Sequence, residues 1–178
     1  MKSIVIYGTH YGTSKQYAKW IADELACQSA SYKEVEVDDL TSYDNIIFGG
    51  GLYAGGVVGI DLFKKILEET KARKFLFTVG LADPKDEKIT SVIKEKLNEQ
   101  IGKNYWNDFE LFFLRGGIDY SKLSFKHKAM MWFLVKIILR GKENQHGADN
   151  LIYDTYGKKI SFLDRESLSD LLAKIREF

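Results

Sequence analysis

Apolar residues along this chain fall into short unbroken runs that alternate with longer stretches of helical spacing. Ser3–Tyr7 (SIVIY), Asn45–Gly49 (NIIFG) and Lys74–Gly80 (KFLFTVG) are continuous apolar runs, and they predict strands buried on both faces. Phe109–Leu114 predicts a further strand, Glu34–Leu40 a weaker one placed second in the chain, and Leu151–Tyr156 a short one near the end. Between them, Lys15–Ala26 repeats Tyr17, Ala18, Ile21, Ala22 and Leu25 at helical spacing. Asp61–Thr70 carries Leu62, Phe63, Ile66 and Leu67, and Lys85–Ile101 carries Ile89, Val92, Ile93 and Leu97 on one face. Arg165–Arg176 closes the chain with Leu168, Leu171, Leu172 and Ile175 turned inward. Strands alternating with helices predict an α/β fold, a three-layer sandwich with a parallel sheet covered on both faces. Ligands of such sheets bind outside the carboxyl ends of the strands, where the strand order reverses. For five strands in the order 2-1-3-4-5, the first and third strands flank that point.

Glycine-rich loops follow the first, third and fourth of the predicted strands in chain order. The first, Gly8-Thr9-His10-Tyr11-Gly12-Thr13-Ser14, leads straight into a helix. A helix start offers unpaired N–H groups and a favourable dipole to an anion, glycine lets the backbone close on it, and hydroxyls donate to it. The stretch reads as a phosphate seat, or as an ordinary turn with Ser14 as the helix cap. It has no Lys before Ser14 and no GxGxxG, so it is neither a Walker-type P-loop nor a dinucleotide fingerprint. The second loop, Gly49–Gly56, reads as backbone able to press against a flat ring, with Tyr53 as a stacking face, or as a long mobile loop around a core tyrosine. The third, Gly80-Leu81-Ala82, reads as the remaining wall of one pocket or as a plain strand-end turn. The candidate cofactor-binding residues are therefore Thr9, His10, Tyr11, Gly12, Thr13 and Ser14; Gly50, Gly51, Leu52, Tyr53, Ala54 and Gly55; and Gly80, Leu81 and Ala82.

Several chemistries are disfavoured. A phospho-receiver wants acids after the first strand and an Asp ending the third, where this chain has Tyr7, Gly8 and Gly49. A low-molecular-weight phosphatase wants Cys and Arg in the first loop, and neither is there. His10, His127 and His146 are scattered without ligand spacing, so no metal site is expected. The single cysteine, Cys27, reads as a packed apolar thiol, and it permits no intramolecular disulfide, which suits a reducing cytoplasm. The N-terminus enters a strand with no signal-peptide pattern, and no apolar run reaches the ~18 residues of a membrane span. Length, ordinary composition and one proline point to a single domain over residues 1–178.

Charge changes the picture late in the chain. The net charge is +1, but residues 115–142 hold Arg115, Lys122, Lys126, Lys128, Lys136, Arg140 and Lys142 against Asp119 alone. Within an interruption of the fold at about 116–150, Ser124–Arg140 predicts a helix. One arc of it carries Met130, Met131, Leu134, Val135, Ile137 and Ile138. The other mixes Lys126, Lys128, Lys136 and Arg140 with Phe125, Trp132, Phe133 and Leu139. Such a basic amphipathic helix lies in a membrane interface, covers the domain edge with its cations snorkelling outward, or docks a partner.

The first loop resembles the flavodoxin Thr/Ser-x-Thr-Gly-x-Thr phosphate loop: Thr9, Gly12 and Ser14 match it, and Tyr11 stands where Thr is usual. The resemblance implies a flavodoxin-like fold and FMN as cofactor. Together with YDNIIFGGGLY, FFLRGGIDY and the apolar, basic segment ending in Arg140-Gly141-Lys142, the chain is similar to the menaquinone-dependent protoporphyrinogen IX dehydrogenases. Tyr11 stands where they tend to carry an acidic residue, the middle loop is richer in glycine, and Tyr53 falls at a position suited to a basic residue. That resemblance implies oxidation of a porphyrinogen through FMN, with a quinone as electron acceptor and the inner face of a membrane as a peripheral contact for residues 124–140. The other reading is a flavodoxin-type electron carrier with no small-molecule substrate. Such carriers are strongly acidic, which this chain is not. No nucleic-acid partner is expected, and no catalytic side chain is singled out.

Overall fold

The computed structural model describes residues 1–53, 56–122 and 157–177. The helix expected over 124–140, the strand expected over 151–156, and Ala54 and Gly55 lie outside them. The chain starts with β1 (Ser3–Gly8), α1 (Thr13–Leu25), β2 (Gln28–Ser31) and β3 (Asn45–Tyr53). A short β4 (Gly56–Val57) turns back antiparallel on the end of β3, pairing Leu52 with Val57. Then come α2 (Ile60–Glu69), β5 (Arg73–Gly80), α3 (Glu87–Ile101) and β6 (Glu110–Arg115). After β6, β7 (Gly117–Asp119) pairs antiparallel with β8 (Lys159–Ser161), and α4 (Ser169–Arg176) closes the chain.

The long strands pair in parallel in the order β2-β1-β3-β5-β6, which is the expected 2-1-3-4-5 arrangement. The fold is α/β and flavodoxin-like. Its core follows from the alternation of strand side chains. Ile4, Ile6, Ile46, Phe48 and Leu76 face one way and pack with Phe63, Ile66 and Leu67 of α2 and Leu97 and Ile101 of α3. Val5, Ile47, Phe75, Phe77 and Val79 face the other way and pack with Tyr17, Ala18 and Ile21 of α1 and Leu171, Leu172 and Ile175 of α4. A strand buried on both faces needs apolar residues at every position, which is why these segments read as continuous runs.

Three expectations fail locally, each for a physical reason. The second strand is Gln28–Ser31, and Glu34–Leu40 holds instead a single 3-10 turn over Val37–Leu40. Val37 and Leu40 are buried while Asp38 and Asp39 between them are exposed, a spacing of three rather than two. Among the described residues the true β2 is a polar edge strand paired with β1 alone, so burial does not mark its sequence. Val92 of α3 is 56% exposed rather than inward. The stripe that packs runs Ile93, Leu97 and Ile101 at i,i+4, and Val92 sits one residue off it. Finally, Gly49–Tyr53 is not an open loop but the end of β3, and Gly56 begins β4.

Candidate functional site

The carboxyl ends of β1, β3 and β5 bring the three glycine-rich segments to one end of the sheet, because Gly8 pairs with Gly50 and Gly50 with Thr78. The first segment is shaped by its own side chains. Thr9 Oγ1 accepts a hydrogen bond from the Gly12 amide at 2.8 Å, tightening the turn. Gly12 then takes φ +91°, a left-handed backbone that favours glycine, and a Cβ there would touch nothing within 4 Å. Gly12 is the residue that caps α1, without a side-chain bond, so Ser14 does not act as the helix cap. The first bond of the helical ladder runs from the Gln16 amide to the Gly12 carbonyl at 3.0 Å. The amides of Thr13, Ser14 and Lys15 therefore lie ahead of the ladder, and no acidic residue in the first turn compensates the dipole.

Ser14 is fully buried, and its Oγ has no hydrogen-bond partner among the described residues. It lies 3.2 Å from where a Cβ on Gly51 would stand. Leaving a buried hydroxyl unsatisfied costs about 1–3 kcal/mol, and the head of α1 carries such a donor. Thr78, beside Gly50 in β5, is likewise buried, and its Oγ1 has no partner among the described residues.

The glycine run on β3 is used by the protein itself. Space for a Cβ on Gly49 is filled by the Phe77 ring, on Gly50 by Val57 of the return strand, and on Gly51 by Ser14 of α1. These glycines let neighbouring elements approach the sheet closely from alternate faces. Leu52 and Tyr53 extend beyond them, half-buried. The exposed His10 packs edge-on to Tyr53, with ring centroids 4.8 Å apart at 66°, so the first and second segments meet through these two rings. His10 also stands 6.2 Å from the ring of the half-buried Tyr11.

In the third segment Gly80, Leu81 and Ala82 are half-buried. Two contacts hold them that the sequence reading missed. The Gly80 carbonyl accepts from the Gly116 amide at 2.6 Å, and the Leu81 carbonyl accepts from Arg115 Nε at 3.2 Å. The available signal was position: Arg115-Gly116 follows the carboxyl end of β6, the place where strand ends carry function.

Away from these loops, burial raises the pKa of the Cys27 thiol, and Cys27 packs against the core shared by α1 and α4, as expected of an apolar thiol. A surface depression of about 320 Å³ lined by Lys94, Asn98, Lys103 and Trp106 lies on α3 and the turn after it, and none of its lining residues belongs to the three loops. Among the described residues no cluster of His, Cys, Asp or Glu is arranged to hold a metal ion, and no helix is long and apolar enough to cross a membrane.

The flavodoxin-domain family profile matches residues 4–145. The chain belongs to the flavodoxin-domain family. This flavodoxin-domain protein is 31% identical over 129 residues to an uncharacterized protein of Methanocaldococcus jannaschii, a match covering 67% of this chain and 85% of that protein. Among solved structures it is similar to oxidised flavodoxin 2 from Bacillus cereus, at 18% identity, 65% of this chain, 84% of that one and a TM-score of 0.43. It is also similar to a flavoprotein from Lactobacillus acidophilus NCFM solved in complex with FMN, at 15% identity, 64% of this chain, 91% of that one and a TM-score of 0.42.

The donor set of the first loop suits the phosphate of FMN. It offers leading amides of a helix, the Thr9 and Thr13 side chains and the unpartnered Ser14 hydroxyl, with no carboxylate in the segment. Tyr53 and the backbone of Gly80–Ala82 flank the same end of the sheet.

Proposed function

We propose that this flavodoxin-domain protein binds FMN across the loops after β1, β3 and β5, and oxidises a protoporphyrinogen-type substrate with menaquinone as the electron acceptor. The observation that carries the cofactor is the buried, unpartnered Ser14 hydroxyl at the head of α1, beside a turn already closed by Thr9 and Gly12. The substrate rests on the sequence resemblance, above all FFLRGGIDY and the basic, apolar segment behind it.

When bound, FMN supplies the electron acceptor for substrate oxidation. The protein's residues orient and select. The helix head, Thr9 and Ser14 fix the phosphate and so the cofactor's position. Tyr53 offers a face to the ring, and the His10–Tyr53 contact closes the first loop onto the second. The surplus of cations in residues 115–142 draws a propionate-bearing substrate and an anionic lipid surface by the same attraction.

The test is turnover by the purified, FMN-loaded protein, with protoporphyrinogen oxidation followed with and without a menaquinone analogue. Oxidation faster with the quinone supports the reading. A rate no greater than the background rules out the substrate, and FMN that exchanges electrons with protein partners without porphyrinogen turnover favours the carrier reading.

A further inference from the structure

Arg115, the last residue of β6, holds the third loop at two points. Its Nε donates to the Leu81 carbonyl at 3.2 Å, and its Nη1 lies 3.6 Å from Asp83 Oδ2. The same guanidinium stacks 3.7 Å from the centre of the Phe162 ring, just after β8. The main chain around it is fixed as well. The Arg115 carbonyl accepts from the Tyr17 hydroxyl at 2.7 Å, and that hydroxyl accepts from the Asp164 amide at 3.1 Å. The Gly116 amide donates to the Gly80 carbonyl at 2.6 Å, and the Gly116 carbonyl accepts from the Phe162 amide at 3.0 Å. A Cβ on Gly116 would stand 2.8 Å from Val79 Cγ1 and 3.6 Å from Thr13 Cβ, so this residue is wedged between β5 and the head of α1.

The other bonds of Asp83 run forward, to the Lys85 and Asp86 amides, and only shape the turn into α3. The tie from Leu81 and Asp83 back to the sheet is the guanidinium. Arginine suits the place because its planar fork donates in its own plane while its face lies on a ring. A lysine keeps the charge beside Asp83 but cannot do both.

We infer that Arg115 is a positioning residue for the cofactor: it sets where the Gly80–Ala82 backbone faces the bound group and ties that backbone to the base of the β7–β8 ribbon. This rests on the FMN reading of the three loops. The arrangement makes the β7–β8 ribbon a support of the cofactor site that contributes no ligand.

The experiment compares wild type with Arg115→Lys, Arg115→Ala and Asp83→Asn, using Lys159→Ala on the outer ribbon as a control. Three quantities are read: the FMN dissociation constant, the visible circular dichroism of bound flavin, and the unfolding temperature without FMN. Arg115→Ala weakens FMN by about tenfold and alters the flavin dichroism, Arg115→Lys and Asp83→Asn shift both in the same direction by less, and Lys159→Ala shifts neither. Unchanged affinity and dichroism in Arg115→Ala overturns the inference even where the unfolding temperature falls, because the clamp is then only structural. Where Arg115→Ala does not fold, unchanged values in both Arg115→Lys and Asp83→Asn overturn it equally. A wild-type protein that binds no FMN overturns the cofactor reading itself and this inference with it.

Discussion

The Ser14 hydroxyl and Gly51 face each other across the junction of α1 and β3, the oxygen lying 3.2 Å from the Cβ position of the glycine. The contact couples the helix that would hold a phosphate to the strand whose end would flank the ring. Ser14→Ala removes an unsatisfied buried donor, so the FMN-free protein gains about 1 kcal/mol in urea unfolding. The same variant binds FMN about tenfold more weakly in a fluorescence titration. Opposite signs in the two measurements are the signature of a group kept for a ligand; loss in both would mark Ser14 as ordinary packing.

Gly49 and Phe77 form a second such pair, with the ring filling the space a side chain on Gly49 would need. Gly49→Val overpacks this site and costs about 1–3 kcal/mol, and Phe77→Ala leaves a cavity and costs about 3–5 kcal/mol. The double variant Gly49→Val/Phe77→Ala is more stable than the sum of the two losses, because the valine occupies space the ring has vacated. Strict additivity in denaturant midpoints would contradict the contact.

Most of the fold is legible in the sequence because the central strands are buried on both faces. Val5, Ile47 and Phe75 feed one core while Ile4, Ile46 and Leu76 feed the other, so every position is apolar and each segment stands out. Gln28–Ser31 escapes because an edge strand needs no such run. The glycines were visible as composition, but their use was not. Which neighbour fills the space at Gly49, Gly50 or Gly51 depends on Phe77, Val57 and Ser14 arriving from three other elements. The Arg115 clamp was hidden for the same reason: its partners Leu81 and Phe162 come from separate parts of the chain.

Glu24 joins α1 to the closing helix through Arg165 at 2.8 Å and Arg176 at 3.3 Å. Hydrogen bonds from these two arginines, Arg165 first, hold its carboxyl below the usual carboxylate range. A depressed carboxylate pKa contributes stability that is present above the unfolded value and lost as pH falls through the folded one. Glu24→Gln is therefore less stable than wild type near neutral pH, and the gap closes below about pH 4. Thermal unfolding across that range checks it, and a gap that persists in acid would contradict it.

The cationic segment predicts reversible association with anionic vesicles. Co-flotation with phosphatidylserine-containing liposomes weakens with added salt and with the double variant Lys128→Glu/Lys136→Glu. Flotation indifferent to both would remove the electrostatic contribution of residues 124–140.

The most direct test of FMN binding at these loops is a titration of the FMN-free protein with FMN, followed by flavin fluorescence. Saturable quenching at one FMN per chain, weakened by Ser14→Ala, is the expected result. Fluorescence that stays at the free-flavin level across the titration would contradict it.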